Sequence, residues 1–564
     1  MQKLLFSLSL LLAALVSGNA QPRPVDAVLR PKLVVGIVVD QMRWDYLYRY
    51  WDRYGDGGFR KLLREGFSQE QTMINYLPTF TAPGHACIWT GSVPAIHGIA
   101  GNDWIYSATG KATYCVSDTT VQPVGGSWRA GQMSPRNLLT TTIGDELKLA
   151  TNNRSRVFAV SLKDRASILP GGHMSDGTYW YDDSTGNFIT STYYRPELPR
   201  WLQNFNARKL PDSILRAGWT LAKPENTYRH STADNTPYEG LYKGEKTPTF
   251  PHTSFRPGDY GVVRALPAGN GLTLELAKTV LEAENLGKGS DPDLLAINLA
   301  STDYVGHQFA PNALEVEDLY LRLDQQLARF LSFLEKRYGK GNVLFFLTAD
   351  HGGAHNPRFL ADRNIPAGQF LEGDMGKDMR HDADSAFGVN APGLRKEEQR
   401  SVVRFFNNYY IYLDDTLIEA RGYNREAIIR RVRQYLLGRP GIADVVRLDD
   451  NSALLLPEPI RTRVINGHHK KRSGDLIVIP EPGWFAGYAP TGTTHGTWNP
   501  YDAHIPLLFY GWNIPQGQSN EPCHMTDIAA TVCAMLKIQM PNGCVGKPLT
   551  MGDISGKRER ISGK

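Results

Sequence analysis

The sequence predicts an α/β fold with a doubly wound, mostly parallel central sheet, helices on both faces and an inserted cap lobe. Three apolar runs carry this prediction, KLVVGIVVD (32–40), DLLAINLASTD (293–303) and NVLFFLTADH (342–351), and an aspartate lies at or next to the end of each. Because the runs do not alternate polar and apolar residues, they are typical of strands buried on both faces. Each aspartate then lies at a strand's carboxyl end, where open α/β sheets bind their ligands.

A long amphipathic helix is predicted between the second and third runs. Apolar residues recur there with helical spacing from Val316 to Leu334, and the pattern ends at GKG (339–341). The order strand, helix, strand predicts that this helix crosses between two neighbouring parallel strands. Near the carboxyl terminus we expect a last core strand in HIPLLFYGW (504–512) and a closing helix in HMTDIAATVCAMLKI (524–538).

The rest of the chain is predicted to contain a signal peptide, two insertions and a tail. Residues 1–20 combine a lysine, an apolar stretch and small residues before an expected mature start near Gln21, which is typical of a cleaved secretory signal. The middle stretch is rich in Tyr, Trp, Pro, Thr and Gly, and we interpret it as a cap lobe. The predicted parts are a main domain at 21–550 with the cap at about 170–285 and an accessory α+β segment at 355–480, and a tail at 551–564.

Composition and charge exclude several kinds of partner. The net charge is +5, and no run of about five like charges suggests a nucleic-acid-binding arm. After the signal, no segment approaches the roughly 18 uninterrupted apolar residues of a membrane span. We therefore expect no specific nucleic-acid partner and no membrane span. We also expect a monomer, and the signal predicts that it is periplasmic or secreted.

The five cysteines are an odd number for an exported protein, so at least one is expected to be free or paired outside the chain. They lack zinc-finger spacing, so any metal must be held by histidine and carboxylate. A disulfide is expected among the last three. The cysteines are Cys87, Cys115, Cys523, Cys533 and Cys544.

Histidines accompany two of the strand-end aspartates, and a third histidine lies in the Gly-rich loop TGTTHGTWNPYDAHIP (491–506). A single aspartate after a strand is more often a turn residue, but aspartate–histidine pairs on neighbouring strand ends favour metal binding. Mixed nitrogen and oxygen ligands suit Zn²⁺. Two zinc ions roughly 4 Å apart are a known device for in-line displacement at phosphorus. The predicted ligands are Asp40, Asp303, His307, Asp350, His351 and His495.

The stretch NYLPTFTAPGHACIWTG (75–91) contains four candidate nucleophiles or bases: Thr79, Thr81, His85 and Cys87. Pro83 fits the first turn of a helix over about residues 82–90, which places Thr81 at the N-cap, a common anion site. Beside a metal, its hydroxyl is expected to lose its proton near neutral pH. Without a metal pair, a plain helix cap is the better interpretation of Thr81. We expect Thr79 to be structural and His85 and Cys87 to pack in the helix or near the site.

Six blocks of the sequence resemble the alkaline phosphatase superfamily and, more narrowly, the PafA-type periplasmic alkaline phosphatases of Bacteroidota, which use a threonine nucleophile. The similarity covers nearly all of residues 31–550, and the order and wording of the blocks make it specific. The blocks are VVDQMRWDYL, LPTFTAPGHACIWTGSVPAIHGIAGNDW, SLKDRASILPGGH, ASTDYVGHQFAPN, ADHGGAH and GTTHGTWNPYDAHIPLLFYG.

The resemblance implies a role for each matched residue. Thr81 stands at the nucleophile position, and Asn102 matches a side chain that donates a hydrogen bond to a phosphoryl oxygen. Lys163 and Arg165 match a cationic pair that marks the monoesterase branch. Two zinc ions per chain are implied, one held by Asp303, His307 and His495 and the other by Asp40, Asp350 and His351.

The resemblance predicts an exported, zinc-dependent alkaline phosphatase that hydrolyses many phosphate monoesters through a phosphothreonine. A dianionic monoester needs positive groups beyond the metals, whereas a diester places a second substituent where Lys163 and Arg165 reach. A nucleotide pyrophosphatase or phosphodiesterase of the same superfamily is the alternative, since that branch shares the metals and the threonine. An inactive exported phosphate-binding protein is a further alternative, which the complete set of site residues disfavours.

Overall fold

The protein is organised around a central sheet, and the structure is a computed structural model that describes residues 29–107, 109–390, 399–487 and 489–552. The strands within these residues are β1 Leu33–Val39, β2 Phe67–Gln69, β3 Thr72–Met73, β4 Asp103–Ile105, β5 Ala112–Tyr114, β6 Pro123–Val124, β7 Val157–Ser161, β8 Gly177–Asp182, β9 Asn187–Ser191, β10 Asp293–Leu299, β11 Val343–Thr348, β12 Gly368–Leu371, β13 Val403–Asn407, β14 Tyr410–Leu413, β15 Ile442–Arg447, β16 Leu476–Pro480, β17 Trp484–Gly487, β18 Leu507–Gly511, β19 Gly517–Ser519 and β20 Cys523–His524.

Helices connect and cover these strands. The α-helices of the described residues are Tyr46–Arg49, Phe59–Glu65, Thr81–Thr90, Pro94–His97, Trp128–Gly131, Ile143–Ala150, Arg165–Gly171, Arg200–Ala207, Leu210–Ala217, Pro267–Ala283, Ser301–Phe309, Leu314–Tyr338, Pro357–Ala361, Glu372–Ala386, Asp415–Arg421, Arg425–Leu437, Ile460–Gly467, Pro500–Ala503 and Asp527–Leu536. Short 3₁₀ helices cover Trp51–Arg53, Glu225–Thr227, Tyr260–Ala265 and Ser452–Leu455.

The central sheet has the strand order β19-β2-β18-β11-β1-β10-β7-β8-β9-β6. The strands from β11 to β8 pair in parallel, and β18 and β9 flank them in antiparallel pairs. Every residue of β1, β7, β10 and β11 is buried, as expected for strands covered on both faces. The predicted fold class, a mostly parallel α/β sheet with helices, is therefore confirmed.

The register of the parallel strands aligns their carboxyl ends. Val39 of β1 pairs with Leu299 of β10, and Val38 pairs with Thr348 of β11. The chain segments that leave β11, β1, β10 and β7 therefore emerge at one edge of the sheet. The predicted ligands that follow β1, β10 and β11 therefore lie at this edge.

The predicted connecting and closing elements are present. The helix expected from Val316 to Leu334 covers Leu314–Tyr338, and it ends at Gly339, which has a positive φ of 87°. The strand expected at 504–512 is β18, although β19 follows it in the chain and pairs with β2 in the same sheet, and the closing helix covers Asp527–Leu536. These elements are confirmed within a few residues. The expectation that the long helix joins neighbouring strands is wrong, because β1 lies between β10 and β11 and pairs with both.

The stretch at 170–285, predicted as a cap lobe, contributes to the central sheet as well. It supplies β8 and β9, and β8 pairs in parallel with β7. Its last helix, Pro267–Ala283, is amphipathic and contacts β10 and β7. The cap-lobe interpretation stays a prediction for the residues between β9 and that helix.

The segment at 355–480 has a sheet of its own, and its apolar core also includes Leu77, Phe80 and Ile105 from the first part of the chain. Strands β13, β14, β16 and β15 form an antiparallel sheet in that order. The helices Glu372–Ala386 and Arg425–Leu437 pack on it and on each other. The Asn424 side chain caps the second of these helices by accepting from the Ala427 backbone N–H.

All five cysteines are free in the structure, so the disulfide expected among Cys523, Cys533 and Cys544 is not formed. Among the described residues, no helix is both long and apolar enough to cross a membrane. The predicted signal peptide at 1–20 and most of the tail at 551–564 lie outside the described residues.

Candidate active site at the carboxyl edge of the sheet

The predicted metal ligands converge at the carboxyl edge of the central sheet. Ligand atoms of Asp40, Asp350 and His351 lie within 4.8 Å of one another, and so do those of Asp303, His351 and His495. The Nε2 atom of His307 lies 3.2 Å from Asp303 Oδ1, and its ring centroid lies 5.1 Å from that of His495. The structure thus brings all six predicted ligands together, with His351 close to both carboxylate groups.

Each histidine of this cluster is oriented by a backbone carbonyl. The contact is made by Nδ1, which donates its proton, so Nε2 is left as the unprotonated atom that faces the carboxylates. The Nδ1–carbonyl distances are 2.8 Å from His307 to Thr493, 2.9 Å from His351 to Gly352 and 2.7 Å from His495 to Thr79. The three rings are therefore held in the tautomer that binds a metal.

Two further polar residues, Gln41 and Asn298, orient the carboxylates. Gln41 donates from Nε2 to Asp303 Oδ1 at 2.9 Å, and its backbone N–H donates to Asp350 Oδ1 at 3.2 Å. Asn298 Nδ2 donates to Asp40 Oδ2 at 3.1 Å. Neither residue is predicted from the sequence. The signals were the position of Gln41 directly after Asp40 and the polar Asn298 inside the apolar run of β10.

Burial raises the pKa of two carboxyl groups in the cluster. Burial raises the pKa of Asp350 well above its ordinary value, and the charge of Asp40 adds to the shift. Burial likewise raises the pKa of Asp40, although Lys163 opposes it. The buried Oδ2 of Asp350 has no hydrogen-bond partner among the described residues. Buried charges of one sign with an orphaned oxygen fit a cation.

The histidines of the cluster differ in charge. Burial lowers the pKa of His351 to about 3 and lowers that of His495 well below its ordinary value, so both rings are neutral and can act as ligands. Burial also disfavours the charged form of His307, but the nearby Asp303 charge raises its pKa. His307 is thus the ring most tightly coupled to Asp303.

Thr81 begins the helix Thr81–Thr90 and faces this cluster. Its Oγ1 lies 3.4 Å from His351 Nε2 and 3.4 Å from Lys163 Nζ. The prediction that Thr81 is the N-cap is wrong by one residue. Phe80, with an extended backbone, is the cap, because its carbonyl already accepts from the Gly84 N–H at 3.0 Å. The Thr81 hydroxyl therefore does not cap the helix and is directed to the cluster.

A glycine lets this helix approach the ligands closely. A Cβ atom at Gly84 would lie 2.6 Å from the Asp350 carbonyl oxygen and 2.8 Å from its Cβ, too close for any side chain. The helix therefore rests directly on the backbone that carries a ligand. This close approach explains the glycine in TAPGH.

Asn102 lies next to the first turn of the same helix. Its Oδ1 accepts a hydrogen bond from the Ala82 backbone N–H at 2.9 Å. Because the oxygen is occupied in this way, the amide nitrogen is the atom left to donate. This orientation suits the role in binding a phosphoryl oxygen that the resemblance implies.

Lys163 and Arg165 follow β7, next to β10 in the sheet. The Lys163 ammonium lies 2.9 Å from Asp40 Oδ1 and 2.6 Å from Asp303 Oδ2, so it bridges the two carboxylate groups. Burial opposes its charge, but Asp303 and Asp40 raise its pKa, so it is charged at every pH of interest. Its Nζ also lies 5.1 Å from the Tyr304 ring centroid.

Arg165 is held by a second tyrosine, Tyr114. The Arg165 Nη1 donates to Tyr114 Oη at 3.2 Å, and this hydroxyl donates to Asp164 Oδ1 at 2.5 Å. Tyr114 is not predicted from the sequence, since it lies in β5, some 50 positions earlier in the chain. No pattern in the sequence links it to SLKDR.

The other candidates in the stretch 75–91 have structural roles. Thr79 Oγ1 donates to the Thr497 carbonyl at 3.0 Å, and Cys87 is buried in the main apolar core, so both predictions are confirmed. His85 is buried near the ligands, with Nε2 3.1 Å from Asn298 Nδ2 and 3.7 Å from Asp350 Oδ2. It packs behind the cluster, as predicted.

The fold and the residues at its carboxyl edge identify the chain as a member of the alkaline phosphatase superfamily. Within it, the chain is a member of the family described as Type I phosphodiesterase / nucleotide pyrophosphatase, which it matches over residues 34–502.

Close relatives match almost the entire chain. It is 50% identical over 540 residues to "Alkaline phosphatase PafA" of Elizabethkingia meningoseptica, with 95% of this chain and 97% of the relative covered. It is 46% identical over 556 residues to "Alkaline phosphatase PhoV" of Synechococcus elongatus, with 97% and 98% covered. A crystal structure of wild-type alkaline phosphatase PafA matches with a TM-score of 0.89 and 49% identity, over 93% of this chain and 100% of that chain.

Proposed function

We propose that the protein is an exported, zinc-dependent alkaline phosphatase that hydrolyses a broad range of phosphate monoesters through a phosphothreonine at Thr81. The observation that carries the proposal is the buried Lys163 ammonium, which lies 3.4 Å from Thr81 Oγ1 and bridges Asp40 and Asp303. A cation beside the nucleophile, in addition to the metals, is what a dianionic monoester requires. The relatives named alkaline phosphatase support the same activity.

The donor set fits two zinc ions. The three histidines present neutral or metal-competent Nε2 atoms, and the orphaned Asp350 Oδ2 provides a negative oxygen. When bound, zinc supplies Lewis-acid charge to the attacking and leaving oxygens. We assign one ion to Asp40, Asp350 and His351 and the other to Asp303, His307 and His495.

The side chains of the chain divide the reaction between them. Thr81 Oγ1 loses its proton to solvent and bonds to phosphorus, while the bond from phosphorus to the ester oxygen breaks and the leaving alkoxide takes up a proton from solvent to give the alcohol. Water then attacks the phosphothreonine, the bond from phosphorus to Oγ1 breaks, and phosphate and the threonine hydroxyl are restored. Asn102, Lys163 and Arg165 hold the non-bridging oxygens in both steps.

Hydrolysis of p-nitrophenyl phosphate at alkaline pH tests the proposed activity. Purified protein loaded with zinc should release p-nitrophenolate with multiple turnovers. Folded protein that holds zinc and releases none would overturn the proposal.

A phosphodiesterase or nucleotide pyrophosphatase is the second candidate, because the description of the matching family names these activities. The ratio of kcat/KM for p-nitrophenyl phosphate to that for bis(p-nitrophenyl) phosphate discriminates between the two. We expect the monoester to be preferred, since Lys163 and Arg165 occupy the space that a second ester group needs. Their positive charges also suit a dianionic monoester better than a diester with a single negative charge. A preference for the diester would reverse the ranking.

Replacement of the nucleophile tests the covalent intermediate. Thr81→Ala should abolish turnover while two zinc ions per chain remain in metal analysis, because Thr81 lies beside the ligands but is not one of them. Thr90→Ala on the same helix is the matched control, since Thr90 Oγ1 makes only local hydrogen bonds, to the Ala86 carbonyl and from the Ser92 backbone N–H. Substantial turnover by Thr81→Ala would exclude the phosphothreonine.

The proposal extends to location and organisation. We assign residues 21–550 to the catalytic domain, with 170–285 as its cap lobe and 355–480 as its accessory segment, and place the monomeric protein in the periplasm or outside the cell. Amino-terminal sequencing of protein exported by a Gram-negative host should begin near Gln21. A chain that retains residues 1–20 after export contradicts this assignment.

A further inference from the structure

A cavity of about 340 Å³ opens beside His307. Its walls include Gln369, Phe485 and Thr491, and none of its lining residues in the described part of the chain is Asp, Glu, Lys or Arg. We call it the His307 cavity. Its volume lies within the range of sites that bind small molecules.

His307 is the proposed ligand that faces outward. Its side chain is 32% exposed, whereas those of Asp303 and His495 are 4% exposed. The side chains of Asp40, Asp350 and His351 are fully buried. Among the six proposed ligands, His307 is therefore the one through which the cluster reaches the surface.

The His307 cavity is lined by a proposed ligand that, within the described residues, has no hydrogen bond or ion pair to the nucleophile. Thr81 Oγ1 is close to His351, at 3.4 Å, whereas His307 joins the cluster through Asp303. In-line displacement places the leaving oxygen opposite the attacking oxygen. The leaving alcohol is then directed to the cavity beyond His307.

We propose that the His307 cavity binds the leaving alcohol and favours an uncharged one of about monosaccharide size. The proposal rests on the proposed phosphatase function and extends it to the substrate class. A charged leaving group would meet no opposite charge in this lining and would lose hydration. Amide and hydroxyl groups such as those of Gln369 and Thr491 match the hydroxyls of a sugar.

The backbone fixes Gln369 in this lining. Strands β12 and β17 pair so that Gln369 lies opposite Phe485, and Gln369 Nε2 donates to the Ala489 carbonyl at 3.0 Å. A Cβ atom at Gly487 would lie 2.6 Å from Gln369 Oε1, so the glycine leaves space for the carboxamide. The accessory segment thus supplies a positioned polar group next to the outward-facing ligand.

A larger cavity, of about 880 Å³, is the competing place for the leaving group. Its lining includes Asp164, which precedes Arg165, and the charged side chains of Arg129, Asp183 and Arg264. It borders Tyr114 and Asp164, which contact Arg165, and none of the proposed metal ligands lines it. For this reason we assign the leaving alcohol to the His307 cavity.

Charge substitutions at Gln369 test the proposal. The variants are Gln369→Glu and Gln369→Lys, and the probes are 3-phosphoglycerate, phosphocholine and methyl phosphate, whose leaving alcohols are anionic, cationic and too small to fill the cavity. Relative to methyl phosphate, Gln369→Glu should lower kcat/KM for 3-phosphoglycerate and raise it for phosphocholine, each by about fivefold. Gln369→Lys should do the opposite.

Three controls make the result decisive. Gln203→Glu and Gln203→Lys place the same charges on the exposed face of a distant helix and should leave all ratios unchanged. Thr491→Glu and Thr491→Lys repeat the test from another wall if the Gln369 variants fold poorly. Arg129→Glu tests the larger cavity.

The outcomes separate this proposal from the proposed function. Ratios that change less than about twofold in the Gln369 and Thr491 variants, or that follow Arg129→Glu instead, overturn the assignment of the leaving group while phosphatase activity stands. A wild-type enzyme that hydrolyses neither methyl phosphate nor p-nitrophenyl phosphate overturns the function itself.

Discussion

The two halves of the active site are held in place by different means. In the ligand half, residues at adjoining strand ends meet because the parallel strands end together, and backbone carbonyls orient the histidines. In the phosphoryl-binding half, Asn102 and Arg165 are oriented by Ala82 and Tyr114, which come from other segments. The ligand half is therefore a direct product of the sheet, whereas the other half depends on individual contacts that single substitutions can remove.

Of the two halves, the ligand half is expected to show the larger effect, from Asp350→Asn. The amide preserves the shape and the oxygen that accepts from Gln41 and His351 but removes the negative charge a metal needs. We expect at least about a 100-fold loss of kcat/KM, since loss of an outer partner of a metal ligand alone costs 10- to 100-fold. Metal analysis should find about one zinc ion per chain instead of two.

The same variant separates metal binding from folding. Burial raises the pKa of Asp350 well above its ordinary value, so its charged form is costly without a cation. The metal-free variant should therefore melt at least as high as the metal-free wild type, measured by circular dichroism. A lower melting temperature of the variant would mean that Asp350 stabilises the fold itself and would weaken the contrast between the halves.

A selective effect is expected in the phosphoryl-binding half, from Lys163→Ala and Arg165→Ala. Each should lower kcat/KM for p-nitrophenyl phosphate by about 100-fold, the usual cost of losing one group that stabilises developing charge. Bis(p-nitrophenyl) phosphate, which carries one charge fewer, should be affected much less. Equal losses on both substrates would show that these cations act on structure or metal binding rather than on the dianion.

The ligand half is also the part that the sequence predicts best. Aspartates directly after apolar runs are local features, and parallel pairing then brings Asp40, Asp303 and Asp350 together without knowledge of any loop. The central sheet and the helix Leu314–Tyr338 follow from hydrophobic patterns of the same kind. Hydrophobic patterns do not extend to the ends of the helices. The predicted helix ends, including the N-cap next to Thr81, therefore differ from those in the structure by a residue or more.

The phosphoryl-binding half follows from the sequence only through resemblance. Lys-Asp-Arg after a strand is usually a solvated charge cluster, and nothing local shows that Tyr114, 51 positions before Arg165, accepts its hydrogen bond. The contribution of the 355–480 segment to the site is likewise not predicted from the sequence. Gln369 reaches the site region through the pairing of β12 with β17, strands separated by more than 100 residues, and such long-range pairing has no local signal.

The smallest effect, and the sharpest test of the contrast, is expected from Tyr114→Phe. Loss of the hydroxyl removes the acceptor of Arg165 Nη1, while Asp164 still accepts from the Arg165 backbone N–H at 2.6 Å. The cavity of about 880 Å³ is lined by Tyr114 and Asp164, the residues that contact the guanidinium. We expect about a fivefold loss of kcat/KM for the monoester, equivalent to roughly 1 kcal/mol, and little change for the diester.

The matched control for this variant is Tyr179→Phe. Tyr179 is a fully buried tyrosine of β8 whose hydroxyl has no hydrogen-bond partner within the described part of the chain, so its removal should leave both substrates unaffected. If Tyr114→Phe reduces monoester and diester hydrolysis equally, Tyr114 supports packing and not the cation. If it reduces neither, Arg165 is fixed by the backbone of its own helix, and the two halves of the site are held by the same means after all.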